Sequence, residues 1–302
     1  MIYIKKLIYQ CINSKLLNGC TNFNPLEVRK SCRSKKQARE AFARHNIPHS
    51  KGVTFINPWK AHLFAKKHGF PLVIKPNVGG FSRGSYFPIH NFWSLWKAMF
   101  LAKIWWPVSV VEQYLEGKNY RVLVADGRVI SVIQRYAPFV IGNGVDSISA
   151  LIDKENNIRN KMGLHQWMYP LQKKKKTQSF LARQGLSINS IPDDRQRILL
   201  FHRVALPSGG IIETVEKDKI PTKNILLMEK ILHIFDANIL GIDIIMEKGI
   251  EHDYDAQKSI LLEVNSRPCA EMHHYPRYGE RDDISGYLNK LSDLHIKQTD
   301  IF

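Results

Sequence analysis

The chain reads as an α+β protein, and three features of the sequence predict it. Stretches with helical and strand periodicity alternate along most of its length. An Asp126-Gly127 pair separates two apolar runs, which is a strong two-residue hairpin signal. Three apolar strand-like runs also carry isolated polar residues: Leu72 to Lys75, Gly241-Ile-Asp243-Ile-Ile, and Leu261-Leu-Glu263-Val-Asn265.

Taken in order, Ser34 to His45 and Pro58 to His68 have helical patterns, and the second leads into the Leu72–Lys75 strand. Asn91 to Lys103 is a third helix, whose tryptophans and phenylalanines are expected to form a packed face. Val108 to Tyr114 reads as a strand, and the hairpin around Asp126-Gly127 follows. Asp146 to Asn160 is helical, with Asp146 or Ser147 as N-cap. The run Lys173-Lys174-Lys175-Lys176 is expected to be an exposed loop or a helix start. Strands are expected near Ile198 to Ala205 and Ile211 to Val215, then a helix from Asn224 to Phe235, the two ligand-bearing strands, and a closing helix from Asp282 to Leu294. No internal repeat is evident.

Composition narrows the classes. With 302 residues and 44% hydrophobic content, the chain can bury one large core or two moderate ones. Cys11, Cys20, Cys32 and Cys269 form no CxxC pair and have no regular spacing, so neither a zinc site nor a disulfide framework is indicated. A reducing cytoplasm fits that usage. Lys5, Lys6 and Gln10 interrupt the apolar N-terminus before secretory or spanning length, so no export signal and no membrane span is expected. The net charge of +17 raises nucleic acid as a partner, because basic side chains neutralise phosphates. A polyanionic nucleotide, an acidic substrate and solvated surface explain the charge more economically, and a nucleic-acid reading would leave the isolated oxygen ligands without a role.

Those ligands carry the chemistry. Side chains alternate faces along a strand, so Glu263 and Asn265 project together while Leu262 and Val264 face the other way. Asp243 lies between Ile242 and Ile244, where a carboxylate needs a cation or donor partner. Carboxylates with an amide oxygen suit magnesium, which bridges substrate phosphates. At the other end, the Leu72–Lys75 strand delivers Lys75 into Gly79-Gly80-Phe-Ser82-Arg-Gly84, where glycines admit close phosphate approach and Ser82 can donate. A phosphate cradle and a magnesium platform together point to an ATP-using enzyme.

In their order these pieces resemble the ATP-grasp superfamily, most closely the ATP-grasp portion of cyanophycin synthetase and neighbouring amino-acid or peptide ligases. The resemblance runs from about Ser34 to about Gly279. It rests on Lys35 and Arg39, the Lys75 strand with its glycine loop, and Glu112-Gln113-Tyr-Leu115-Glu-Gly-Lys-Asn119-Tyr-Arg121. Gly142-Asn-Gly144, Ser208-Gly-Gly210, Gly241-Ile-Asp243 and Glu263-Val-Asn265 follow. It implies two α+β subdomains clasping ATP: a small lid subdomain over residues 34–114 and a C-terminal subdomain with the magnesium site over 115–302, after a short extension over 1–33.

The resemblance also implies roles. Lys35, Lys75, Gly79, Gly80, Ser82 and Gly84 would hold the phosphates. Glu112, Gln113 and Leu115 would hold adenine, and Asn119 would lie at the ribose. Asp243, Glu263 and Asn265 would hold one or two magnesium ions, with manganese as an alternative. Arg121 would neutralise the transferring phosphate, with a surface salt bridge as the competing reading. Arg203 and Arg267 would meet a substrate carboxylate or acyl phosphate, and a structural role is equally open for both. His273 and His274 would lie near the acceptor end.

The implied reaction is ATP-dependent ligation of a carboxylate to an amine through an acyl phosphate, on an amino acid or peptide, acidic if the basic balance reflects the substrate. The alternatives are an ATP-grasp small-molecule kinase and an ATP-binding pseudoenzyme that acts with a partner. Three positions depart from the family pattern: Asn119 stands where a carboxylate often holds ribose, Ala205 where an asparagine is frequent, and Cys269 where glycine is common. Only about thirty residues precede the Lys35 helix, and a Mur-ligase-like module is not expected. Cyanophycin synthesis itself is therefore not the expected activity, and a partner chain, a carrier or a second subunit is expected to supply the acceptor. Relatives are often dimers or tetramers, which leaves a homo-oligomer open.

Overall fold

The computed structural model describes residues 23–33, 35–77, 84–284 and 286–287. In chain order the elements are α1 (Leu26–Arg33), α2 (Lys35–Arg44), β1 (Gly52–Phe55), α3 (Pro58–His68), β2 (Leu72–Pro76), β3 (Tyr86–Ile89), α4 (Phe92–Trp105), β4 (Ser109–Gln113), β5 (Lys118–Ala125), β6 (Arg128–Tyr136), β7 (Phe139–Ile141), α5 (Ile148–Lys161), α6 (Lys175–Ala182), β8 (Arg197–Leu199), β9 (Ile211–Thr214), α7 (Thr222–Ile234), β10 (Ile239–Met246) and β11 (Ser259–Asn265). They fall into two compact units. One comprises residues 1–130, 218–270 and 285–302, the other 131–217 and 271–284. The boundary expected at 114/115 lies inside the first unit, so a lid over 34–114 stands as a proposal about part of that unit.

In the first unit, β1, β4, β2 and β3 form an antiparallel sheet in that order. Its core joins Phe55, Leu72, Ile74 and Val111 to Ala61 and Ala65 of α3 and to Leu95 and Met99 of α4. Local chemistry explains where these helices begin. Asn57 caps α3 by accepting from Trp59 N at 3.0 Å, with Pro58 in the first turn. Asn91 caps α4 by accepting from Ser94 N at 2.8 Å.

The tryptophans and phenylalanines of α4 do not form the packed face expected of them. The buried stripe is Leu95, Ala98, Met99 and Ala102, whose small members allow the helix to lie close to β2, while Trp93 and Phe100 are 82% and 71% exposed.

The same unit contains the antiparallel run β5–β10–β11, with α7 packed on β5 and β10 and with α1 and α2 packed on β11. Asp126 and Gly127 both take positive φ, 50° and 72°, the backbone of a type I′ turn, and β5 ends there as the Asp-Gly signal predicts. Asn24, 1% exposed, fastens the chain ahead of α1. Its Nδ2 donates to the carbonyls of Ile239 and Ser266, both at 2.6 Å, and its Oδ1 accepts from Asn238 N at 2.8 Å. Cys32 of α1 is buried nearby. Burial pushes its thiol up to about 11, against the opposing hydrogen bonds of Ser31 and Ser266.

In the second unit, β6 pairs antiparallel with β9, and β7 with β8. A core of Val140, Ile148, Leu151, Leu171, Leu181 and Ile198 lies against α5 and α6. Ser147 is the N-cap of α5, accepting from Ala150 N at 3.2 Å. Glu155 binds two guanidiniums, Arg159 at 2.9 Å and Arg277 at 3.0 Å, and the wholly buried Arg159 also donates to the carbonyls of Tyr169 and Gly209. The lysine run is a helix start, as expected: Lys174 precedes α6, and Lys173 reaches back to Asp153 at 2.6 Å. The strand expected from Ile198 to Ala205 stops at Leu199. Pro207 then enters a 3-10 turn over Leu206–Ser208, and Gly209 follows at φ 88°. Most of the closing helix expected over Asp282 to Leu294 lies outside the described residues.

Asn24→Ala would leave two buried carbonyls and an amide without their partner. It is expected to lower unfolding stability by about 1–3 kcal/mol in urea titration. Because the folded state raises the Cys32 pKa from 9.0 to about 11, the native protein holds that proton more tightly than the unfolded chain. The stability difference between the native protein and Cys32→Ala is thus expected to be constant below pH 9.0 and to shrink as pH rises from 9.0 toward about 11.

Candidate active site

Two strand systems of the first unit present the expected site residues, one offering cations and the other oxygen donors. On the β1–β4–β2 side, Val73 pairs with Glu112, so Lys75 stands diagonally from Glu112 on the same face. The Lys75 ammonium contacts the Glu112 carboxylate, which is 3% exposed. Arg39 Nη1 donates to the other oxygen of Glu112 at 3.0 Å, and its Nη2 donates to Thr54 at 2.9 Å. One buried carboxylate thereby holds two cations from different elements.

On the β5–β10–β11 side, Arg121 pairs with Asp243 and Asp243 pairs with Glu263, placing three ionisable residues in one cross-strand row. The register shifts between Asp243 and Ile244, so Ile244 pairs with Leu261 and Leu262 is passed over. Arg121 donates from Nε to Asp243 Oδ1 and from Nη2 to Oδ2 at 2.8 Å, a bidentate geometry. Burial works against the Arg121 charge. Asp243 outweighs it by charge and hydrogen bond, with Glu263 and Cys269 adding to it, so the guanidinium is held above its ordinary pKa. Glu263 remains more open, its side chain 34% exposed, and Asn265 Nδ2 donates to its Oε1 at 3.4 Å. These two do share a face.

Lys35, the first residue of α2, brings the two sides together, with its Nζ 3.9 Å from Glu263 Oε2. Burial pulls its pKa below the ordinary lysine value. Glu263 opposes that shift, Lys75 reinforces it and Glu112 opposes it. Two largely buried ammonium groups brought near one another suit a polyanion, which would relieve their repulsion. Beside them, a carboxylate and an amide on one face offer hard oxygen ligands. Among the described residues there is no cluster of three or more His, Cys, Asp or Glu side chains that could hold a metal ion. The donor set here counts an asparagine, and it suits magnesium shared with phosphates rather than an all-protein cage.

The remaining expected residues are placed as follows. Gln113 ends β4, with its N–H donating to the Lys51 carbonyl at 3.0 Å, and Leu115 lies in the connection to β5. Asn119 on β5 pairs with Ile245 of β10. Gly84 sits at φ 69° against Trp105 and Pro76, while Gly79, Gly80 and Ser82 lie outside the described residues. Arg267 is half-buried two residues after Asn265. Arg203 belongs to the second unit and lies beyond the end of β8, not on a strand. His273, in the same unit, is fully buried, with its Nδ1 2.7 Å from Ser131 Oγ. A pocket of about 190 Å³ in that unit, lined in part by Phe139, Leu151, Glu155 and Arg277, includes none of the expected site residues.

The expectations assigned Arg121 and Asp243 separate roles and did not anticipate that they bind each other. Arg39 was absent from the expected site, although its four-residue spacing from Lys35 places both on one helix face.

No family model matches the chain. Cyanophycin synthetase of Trichormus variabilis is 30% identical over 220 residues, 72% of this chain and 24% of the relative. The chain spans about a quarter of the length of the cyanophycin synthetases it matches. A bifunctional glutathione synthetase structure from Pasteurella multocida superposes with TM-score 0.65 at 21% identity, covering 90% of this chain and 38% of the other. The ATP-grasp ligase PsnB with a minimal precursor superposes with TM-score 0.50 at 14% identity, covering 91% and 63%.

The fold and the match to cyanophycin synthetase together place the chain among the ATP-grasp proteins. Within that class the chain is a relative of cyanophycin synthetase, matching a portion of that longer enzyme.

Arg121→Met would strand the buried Asp243 carboxylate. It is expected to destabilise the protein by about 3–5 kcal/mol in denaturant titration, and adding Asp243→Leu should restore much of that loss.

Proposed function

We propose that this chain is an ATP-dependent carboxylate-amine ligase that forms an amide bond on an amino acid or peptide. One observation carries the reading: the Lys35 ammonium lies between Glu263, 3.9 Å away, and the Lys75–Glu112 pair. Phosphate-binding cations and metal-binding oxygens are thus neighbours, as an enzyme that splits a magnesium-bound triphosphate requires. The sequence match to cyanophycin synthetase supports the same chemistry.

In this reading Lys35 and Lys75 hold the phosphates, with Gly79, Gly80, Ser82 and Gly84 completing the cradle. Glu112 positions Lys75 and borders the adenine site with Gln113 and Leu115, and Asn119 accepts a hydrogen bond from ribose. Glu263 and Asn265, with Asp243 beside Glu263 in the ladder, would hold one or two magnesium ions, manganese being able to replace them. The metal supplies charge neutralisation across the phosphate oxygens. Arg121 adds a fixed positive charge beside that carboxylate row, and Arg267, two residues past Asn265, would meet substrate carboxylate oxygens.

The substrate carboxylate attacks the terminal phosphorus, ADP leaves, and an acyl phosphate results. An amine then displaces phosphate, losing its proton as the amide forms. No protein nucleophile is needed, so positioning and charge supply the acceleration. An acidic substrate would suit the basic chain, and a partner chain, carrier or second copy could present the acceptor. A cytoplasmic location would supply ATP. Among the described residues, no helix is long and apolar enough to cross a membrane.

The chain incubated with ATP, magnesium and pooled amino acids and short peptides should release phosphate and yield one new condensed mass. Glu263→Ala should abolish both, and Lys75→Ala should weaken ATP binding by about tenfold or more. Phosphate transfer to a hydroxyl without amide formation would identify a kinase instead, and ATP bound without turnover would identify a pseudoenzyme.

A further inference from the structure

The α3–α4 face of the first unit has no role in the ligase chemistry, yet its composition is strongly biased. Between Glu40 and Glu112 the sequence contains no aspartate or glutamate, while it contains nine lysines and arginines and five of the six tryptophans. Those five, Trp59, Trp93, Trp96, Trp105 and Trp106, are all partly or largely exposed.

The exposed residues of α4 follow helical spacing. Trp93, Trp96, Phe100 and Ile104 form one stripe, opposite the buried stripe of Leu95, Ala98, Met99 and Ala102. The helix is therefore apolar on both faces, and only one of them is covered. A helix apolar all round is ordinarily buried, and a contiguous exposed apolar face marks an interaction site. α3 extends the surface: Trp59 packs edge-on to Trp96 with ring centroids 5.6 Å apart, and Leu63 is 60% exposed. Lys60, Lys66, Lys67 and Lys97 on the same two helices are exposed.

We propose that this face docks on the surface of an anionic lipid bilayer. Tryptophan favours the boundary between headgroups and acyl chains, where its ring is buried and its N–H stays hydrated. Lysines beside an exposed aromatic stripe add attraction to anionic headgroups, which is the composition of an interfacial helix. A second copy of the chain fits less well, because two such faces would bring lysines together with no carboxylate on either helix to neutralise them. Neither helix spans a membrane. The contact is peripheral, with α4 lying in the interface plane.

Sedimentation of the full chain with phosphatidylglycerol–phosphatidylcholine vesicles tests this, with pure phosphatidylcholine vesicles as comparison. Binding is expected to the anionic vesicles, to weaken as salt is raised, and to blue-shift the tryptophan emission. The triple variant Trp93→Ser/Phe100→Ser/Ile104→Ser changes only exposed side chains, and it should lose about tenfold or more in partitioning while keeping its thermal melt. No vesicle binding by the native chain, equal binding to neutral vesicles, or binding unchanged in the triple variant would each overturn the proposal. So would a dimer seen by light scattering that the triple variant dissociates in the absence of vesicle binding, which would assign the face to a second copy.

Discussion

Asp243 accepts two hydrogen bonds from Arg121 across the β5–β10 ladder, and the geometry of the oxygen-ligand side depends on that pair. Both groups are nearly buried, so neither could hold its charge there alone. Their pairing allows a charged row to cross three strands whose other residues are mostly apolar. Glu263, next in the row, is left the most open of the three and so the best able to meet a ligand. The register shift passing over Leu262 keeps Glu263 opposite Asp243 while the rest of β11 continues to pair with β10.

A second buried carboxylate does comparable work for the cations. Glu112 lies on β4, between β1 and β2, and draws Lys75 from one neighbour and Arg39 from the helix beyond. Gly52 of β1 makes this packing possible, since a Cβ there would lie 2.6 Å from both Arg39 Nη1 and Glu112 Cγ. Lys35, one helical turn from Arg39, is left facing Glu263. The helix α2 therefore links the cation sheet to the ligand sheet through two side chains on one face.

The segment from Asn24 through α2 is part of this arrangement. Asn24 bonds to the backbone at the start of β10 and just beyond the end of β11, and α1 and α2 pack on β11. The strand that presents Glu263 and Asn265 is thus braced by Asn24 and the two helices that follow it. The second unit has its own polar brace, Glu155 shared between Arg159 and Arg277, and its own apolar core.

Local rules made much of this legible. Ser147, one of the two N-caps the sequence offers for α5, caps it because a side-chain oxygen can satisfy an end amide, and Asp126-Gly127 turns because both residues tolerate positive φ. Strand alternation put Glu263 and Asn265 on one face, and the ordered motifs pointed to the ATP-grasp fold. Tertiary structure alone decided what depends on which strands and helices become neighbours. Pairing β10 with β5 joined Arg121 to Asp243 over 122 residues of sequence. Packing α2 against the sheets joined Arg39 to Glu112 and Lys35 to Glu263. The choice of which α4 face to bury went to alanines, leucine and methionine, because small side chains let the helix approach β2 and bulky rings do not. Periodicity cannot choose between two apolar faces, since each satisfies the helical pattern equally well.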